Sequence, residues 1–161
     1  MNVVEEELMH IEIEREGFDE IIEIELHRDI DMVDHIRRHL ELDIDVHIFE
    51  RDRDEPLVRN VEGRRHLRLI AHPHRVLDVV VRYEHQQKKH HFPPSTTVFT
   101  VLKWAVGKHG YRLDPQNAAK ANLILPGAEH PLPRDRAIGA FTKPGTPCLV
   151  VDLTLKDFTN G

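Results

Sequence analysis

The chain has 161 residues, 40% hydrophobic and 31% charged, the composition of a soluble globular protein built as one ordinary domain or two small ones. No apolar run approaches the ~20 residues of a membrane span, residues 1–7 lack the basic and apolar regions of a secretion signal, and the single cysteine, Cys148, excludes an internal disulfide framework, so a cytoplasmic protein with no membrane partner is expected. The net charge of −6 is uneven: residues 1–70 carry 21 Asp/Glu against 10 Arg, and residues 71–161 carry 7 Asp/Glu against 12 Lys/Arg. That break predicts two units with separate surfaces, and neither has the concentrated basic face that a nucleic acid partner requires.

Met9 to Glu14 alternates strictly between apolar and polar residues, Gly17 permits a turn, and Ile22 to Leu26 alternates again, which predicts a β-hairpin. Asp29 or Asp31 can cap a helix whose apolar positions Val33, Ile36 and Leu40 fall on one face. Ile44, Val46 and Ile48 suggest a third strand, residues 51–56 a charged loop, and His66 to Ile70 a last strand. His72-Pro73-His74-Arg75 reads as a short linker.

The second half repeats this order. Leu77 to Tyr83 is β-branched and partly alternating, Glu84 to Gln87 is a polar turn, and Lys88 to Phe92 returns as a strand ended by Pro93-Pro94. Ser95, Thr96 and Thr97 offer capping hydroxyls, and Val98, Val101, Leu102 and Ala105 recur at the spacing of one buried helix face. Lys108 and His109 suit a helix C-terminus and Gly110 a left-handed cap, so the helix is expected over residues 97–109. After a break at Asp114-Pro115, Asn122 to Leu125 forms a short strand, and residues 128–139 are irregular with Leu132 and Ile138 buried. A turn at residues 143–146 leads into the last strand, from Cys148 to Leu155.

The run Pro94-Ser95-Thr96-Thr97-Val98 into Val101, the strand Leu123-Ile124-Leu125 with Pro126-Gly127, the step Leu132-Pro133-Arg134-Asp135 and the closing Leu149 to Leu153 stand in the order and spacing of ubiquitin-like proteins, which residues 76–161 resemble. The fold so implied is α+β: two tandem β-grasp domains, residues 1–71 and residues 76–161, the second ending in a tail over residues 156–161. Such a tandem with a terminal glycine resembles the two-domain modifiers, represented by the vertebrate interferon-induced ubiquitin-like protein and its bacterial Bil-type counterparts. Bil-type operons encode a modifier, an E1, an E2 and a JAB-type peptidase. The resemblance implies conjugation of Gly161 to an amine on a target protein, with an E1-like activating enzyme, an E2-like conjugating enzyme and a JAB-type deconjugating peptidase as partners, in antiviral defence.

Glycine suits that chemistry because a residue without Cβ can thread a narrow channel and adopt backbone angles closed to others. Asn160 stands where such modifiers usually carry a second glycine, preceded by Phe158 and Thr159, so ordinary eukaryotic activating enzymes are not expected to accept this tail. Ile124 is expected to face outward as the centre of a recognition patch, beside Asp152 on the last strand, an acid where the family's patch is apolar.

Other residues carry less. The 13 histidines form no Cys/His cluster or HExxH pattern, so surface histidine is expected and no metal; Cys148 reads as a strand residue, and Trp104 and Phe99 as packing beside the helix. With no phosphate loop and no catalytic constellation the chain reads as a non-enzyme without a cofactor. Two alternatives share the fold. A non-covalent interaction module would not need the tail, and a sulfur carrier would use the same carboxylate but is usually one small domain.

Overall fold

In a computed structural model, which describes residues 8–156, the alternating stretch Leu8–Arg15 forms β1 and returns through Gly17, at φ +74°, into β2, Ile22–His27. Asp31 caps helix α1, Met32–His39, by accepting from the Asp34 amide, and Met32, Val33 and Ile36 are buried on one face. Strands β3, His47–Glu50, and β4, His66–His72, complete a sheet ordered β2-β1-β4-β3. The hairpin is antiparallel and β4 lies parallel to β1.

The second sheet has the same plan. Its strands are β5, Leu77–Tyr83; β6, Gln86–Phe92; β7, Asn122–Ile124; and β8, Cys148–Thr154, ordered β6-β5-β8-β7 with β8 parallel to β5. Thr97 caps helix α2, Val98–Val106, and the four residues expected on its apolar face are all buried, in one core with Val79, Val81, Leu149, Val151 and Leu153. Hairpin, crossing helix and a last strand inserted parallel to the first make each sheet a β-grasp.

Local departures have local causes. The β5–β6 turn is only Glu84 and His85, because Gln86 and Gln87 already pair with Tyr83 and Arg82. Ile44 and Val46 do not join the third strand: the Val46 amide bonds back to the Asp43 carbonyl in a turn, and Ile44 is 91% exposed. Helix α2 stops at Gly107, short of Lys108 and His109. Gly110 serves close approach instead, since a Cβ there would sit 2.2 Å from the Ala105 carbonyl oxygen. Asp114-Pro115 opens a short helix, α3, Pro115–Lys120, with proline in the first turn where its missing N–H costs nothing. β7 ends one residue before Leu125, and a 3-10 turn spans Ile138–Phe141.

The largest departure concerns separate surfaces. The side of the first sheet turned away from α1 is covered, at one end, by the second half of the chain: Phe49 and Ile70 pack with Ala137 and Ala140 in a buried apolar cluster. Glu14, 7% exposed, bonds the Arg136 guanidinium and accepts from the Ala137 amide at 3.0 Å. Backbone bonds cross from Gly17 to Ala140 and from Asp52 to Ser95. Gly139 fits because a Cβ would lie within 3.0 Å of Pro94, His72 and Ile70 together. The halves therefore share a buried interface, and the charge asymmetry along the chain reports only their remaining surfaces.

Candidate functional site

Docking covers part of the first sheet, and among the described residues the corresponding side of the second sheet is left open. There the parallel and antiparallel registers align Ile124, Asp152, Arg82 and Gln87 in one row across β7, β8, β5 and β6, and Val150, Val80 and Lys89 in the next. Ile124 is half-buried opposite Asp152. Asp152 accepts two bonds from the Arg82 guanidinium, at 2.6 and 3.0 Å, a fork that satisfies both carboxylate oxygens and holds the arginine pKa above its ordinary value. The row thus ends its apolar part at Ile124 and continues as a neutralised ion pair.

Strand β8 carries the chain from this face toward the tail. Leu155 packs against the second core, and the Lys156 amide donates to the Thr154 hydroxyl. Phe158, Thr159, Asn160 and Gly161 lie outside the described residues. Cys148 sits at the start of β8, half-buried, in register with Asp78 and, among the described residues, without a hydrogen bond to a base. Trp104 stacks on His90 at 5.3 Å and meets Phe92 edge-on, as packing would have it. Phe99 differs from that expectation: it is 44% exposed, with the Lys103 ammonium over its ring.

His72 also departs from expectation. It is the last residue of β4 rather than part of a surface linker, and it is fully buried between the halves. Its Nδ1 accepts from the His74 amide, which leaves the proton on Nε2 to be donated to the Thr142 hydroxyl at 2.8 Å; that hydroxyl donates to the Gly139 carbonyl. Burial holds the ring neutral, with a pKa lowered to about 4, and the nearby His74 adds to the effect. Glu16, 3.6 Å away, is shifted upward by burial. Among the described residues no group of three or more His, Cys, Asp or Glu is placed to hold a metal ion, and no helix is long and apolar enough to cross a membrane.

Burial of neutral His72 makes stability pH-dependent. Between the unfolded value of 6.5 and the folded value of about 4 the unfolded chain binds more protons, so stability is full above that window and falls through it on acidification. The difference corresponds to about 3 kcal/mol. His47, lowered chiefly by burial, acts in the same sense, and Glu16, raised by burial, in the opposite one. Urea denaturation at about pH 7 and pH 4.5 is expected to show the loss, and His72→Gln, which keeps an N–H for Thr142, to flatten it. Equal slopes in both proteins would mean the ring is not buried.

Sequence reading missed Glu14, Arg136, Phe49, Ile70 and His72. A signal existed: Leu69-Ile70-Ala71 and Ile48-Phe49 break strict alternation, as strands buried on both faces do.

The match to a known family falls on the second sheet. Residues 78–156 match the family model described as BilA ubiquitin-like domain 2. The second half of the chain is a ubiquitin-like domain. The match begins one residue inside β5 and ends two residues beyond β8, so it takes in the open face, α2 and the segment over residues 134–142 that docks on the first sheet. No curated protein matches the chain.

Proposed function

We propose that this protein is a Bil-type ubiquitin-like modifier of two domains, divided between residues 71 and 76, that is activated at Gly161 by an E1-like enzyme and passed through an E2-like enzyme to target amines in bacterial antiphage defence. The observation that carries the reading is the match of residues 78–156 to the BilA ubiquitin-like domain, which stops five residues before Gly161. In this scheme the Gly161 carboxylate attacks the α-phosphate of ATP and releases pyrophosphate. A cysteine thiolate of the E1 then displaces AMP to give a thioester, the E2 thiol takes over the acyl group, and a target amine displaces that thiol to form an amide. The protein itself supplies a carboxylate and a surface and acts as a modifier rather than an enzyme. A JAB-type peptidase reverses the amide.

Asn160, Thr159 and Phe158 then select the cognate E1 through its tail channel. Ile124, with the Arg82–Asp152 fork beside it, gives a mixed patch that favours cognate partners over readers of a wholly apolar one.

Incubation with the cognate E1, E2 and ATP is expected to give a thioester sensitive to reducing agent, followed by adducts heavier by the mass of the modifier. Deleting Gly161 should abolish both while the melting temperature stays unchanged, and Cys148→Ser should leave both running. Conjugation, or full activity in cells, by the Gly161 deletion would instead favour a non-covalent interaction module.

A further inference from the structure

Each sheet has two edges, and the four differ. The β3 edge is covered where the Leu57 amide bonds the Ile48 carbonyl, and the β7 edge where the Leu132 amide bonds the Leu123 carbonyl. The outer edges of the hairpins, β2 and β6, are longer, and among the described residues no loop or side chain bonds their backbone between Ile22 and Leu26 or along Gln86–Phe92. An uncovered edge is a template for another strand.

The two open edges are opposite in charge. β2 reads Ile-Glu-Ile-Glu-Leu-His, with Glu23 and Glu25 exposed on the side away from α1 and Ile22 and Ile24 half-buried on the helix side. β6 reads Gln-Gln-Lys-Lys-His-His-Phe, with Gln87, Lys89 and His91 on the open side and Gln86, Lys88, His90 and Phe92 on the helix side, where Lys88 bonds the Gly110 carbonyl and His90 stacks on Trp104. Because the two edges are equivalent in sheets of the same plan, antiparallel pairing keeps both helix sides on one face of the joined sheet, which brings Glu23 and Glu25 beside the Lys89 side of β6 and Ile22 and Ile24 beside the side of His90 and Phe92. Pairing like with like would set glutamates against glutamates, or lysine and histidine against themselves, which is unfavourable.

We propose that β2 of one copy adds to β6 of a second copy, joining the two sheets edge to edge. The contact is head-to-tail, so each copy offers one free donor edge and one free acceptor edge, and assembly extends to a ring or a short filament. Charge makes the pairing selective and salt-sensitive.

Sedimentation of the full chain over a concentration series tests this. At low salt the mass average is expected to rise above the 18.8 kDa of one chain with concentration, and to return toward it at about 1 M salt, where screening acts over about 3 Å. Glu23→Lys/Glu25→Lys and Gln87→Glu/Lys89→Glu should each remain monomeric at low salt. Mixed together they should co-assemble, since each then supplies the complement of the other; that recovery also shows both are folded. A wild-type chain that stays monomeric throughout the series, double variants that still associate, or a mixture that stays monomeric would each overturn the proposal. The variants sit on different sheets, so misfolding of one leaves the other as the test. None touches Gly161, so the outcome is independent of conjugation.

Discussion

Glu14→Ala is expected to destabilise the chain by about 3–5 kcal/mol, the cost of leaving a buried charge without its partner. Its carboxylate bonds Arg136 through one oxygen and the Ala137 amide through the other, and the Arg136 side chain is itself 13% exposed. Once Glu14 is gone, the Arg136 guanidinium keeps, among the described residues, only the Asp19 carbonyl and the face of Phe141. The Ala137 amide loses its acceptor as well, in a place water reaches poorly. Urea denaturation measures the loss. The double change Glu14→Ala/Arg136→Leu should recover part of it, because removing both charges lifts the desolvation penalty. A Glu14→Ala shift within about 0.5 kcal/mol, the range of ordinary surface substitutions, would mean that the two halves are not docked in solution.

Leu102→Asp is expected to unfold the second half outright. Leu102 is 5% exposed in a core it shares with Val79, Leu149 and Val151, and truncating such a residue costs about 2–5 kcal/mol before any charge is considered. An aspartate there adds the cost of burying a carboxylate with no partner, and the sum is comparable with the whole stability of a domain, about 5–15 kcal/mol. Phe99→Asp is the control on the same helix. Phe99 is 44% exposed, and its replacement should move the stability by about 0.5 kcal/mol or less. Circular dichroism melts of the two variants separate the outcomes. A cooperative melt of Leu102→Asp at the wild-type temperature would show that the helix face is misassigned.

The two β-grasp sheets were legible in the sequence because their signals are local. Strict alternation located β1 and β2, and the i, i+3, i+4, i+7 spacing of Val98, Val101, Leu102 and Ala105 located α2 and its buried face. The errors arose where two readings of the same letters compete. Ile44-Asp45-Val46 alternates like a strand, yet aspartates at 43 and 45 favour a turn, and the turn prevails. Gly107 and Gly110 could each end α2, and only the carbonyls around Gly110 show that it serves a close contact. The interface was less legible because it joins residues over 120 positions apart, as with Glu14 and Arg136. A glutamate at an outward position of an alternating strand looks like solvent-facing charge until its partner is known. The register that sets Ile124 opposite Asp152 followed from topology, whereas the Arg82 fork needed side-chain geometry.

The parallel pairing of first and last strands in each sheet also sets an order of events during synthesis. β1 cannot find its central neighbour until β4 has left the ribosome, and β5 must wait in the same way for β8, so neither sheet can close on a nascent fragment that lacks its final strand. For as long as the second sheet is incomplete, the first has nothing over Phe49 and Ile70, since Ala137 and Ala140 are still being made or are unplaced. A growing chain therefore passes through an interval with an apolar patch and a lone glutamate, Glu14, on its surface. Ala137 and Ala140 cover that patch, and Arg136 pairs with that carboxylate, in one docking step.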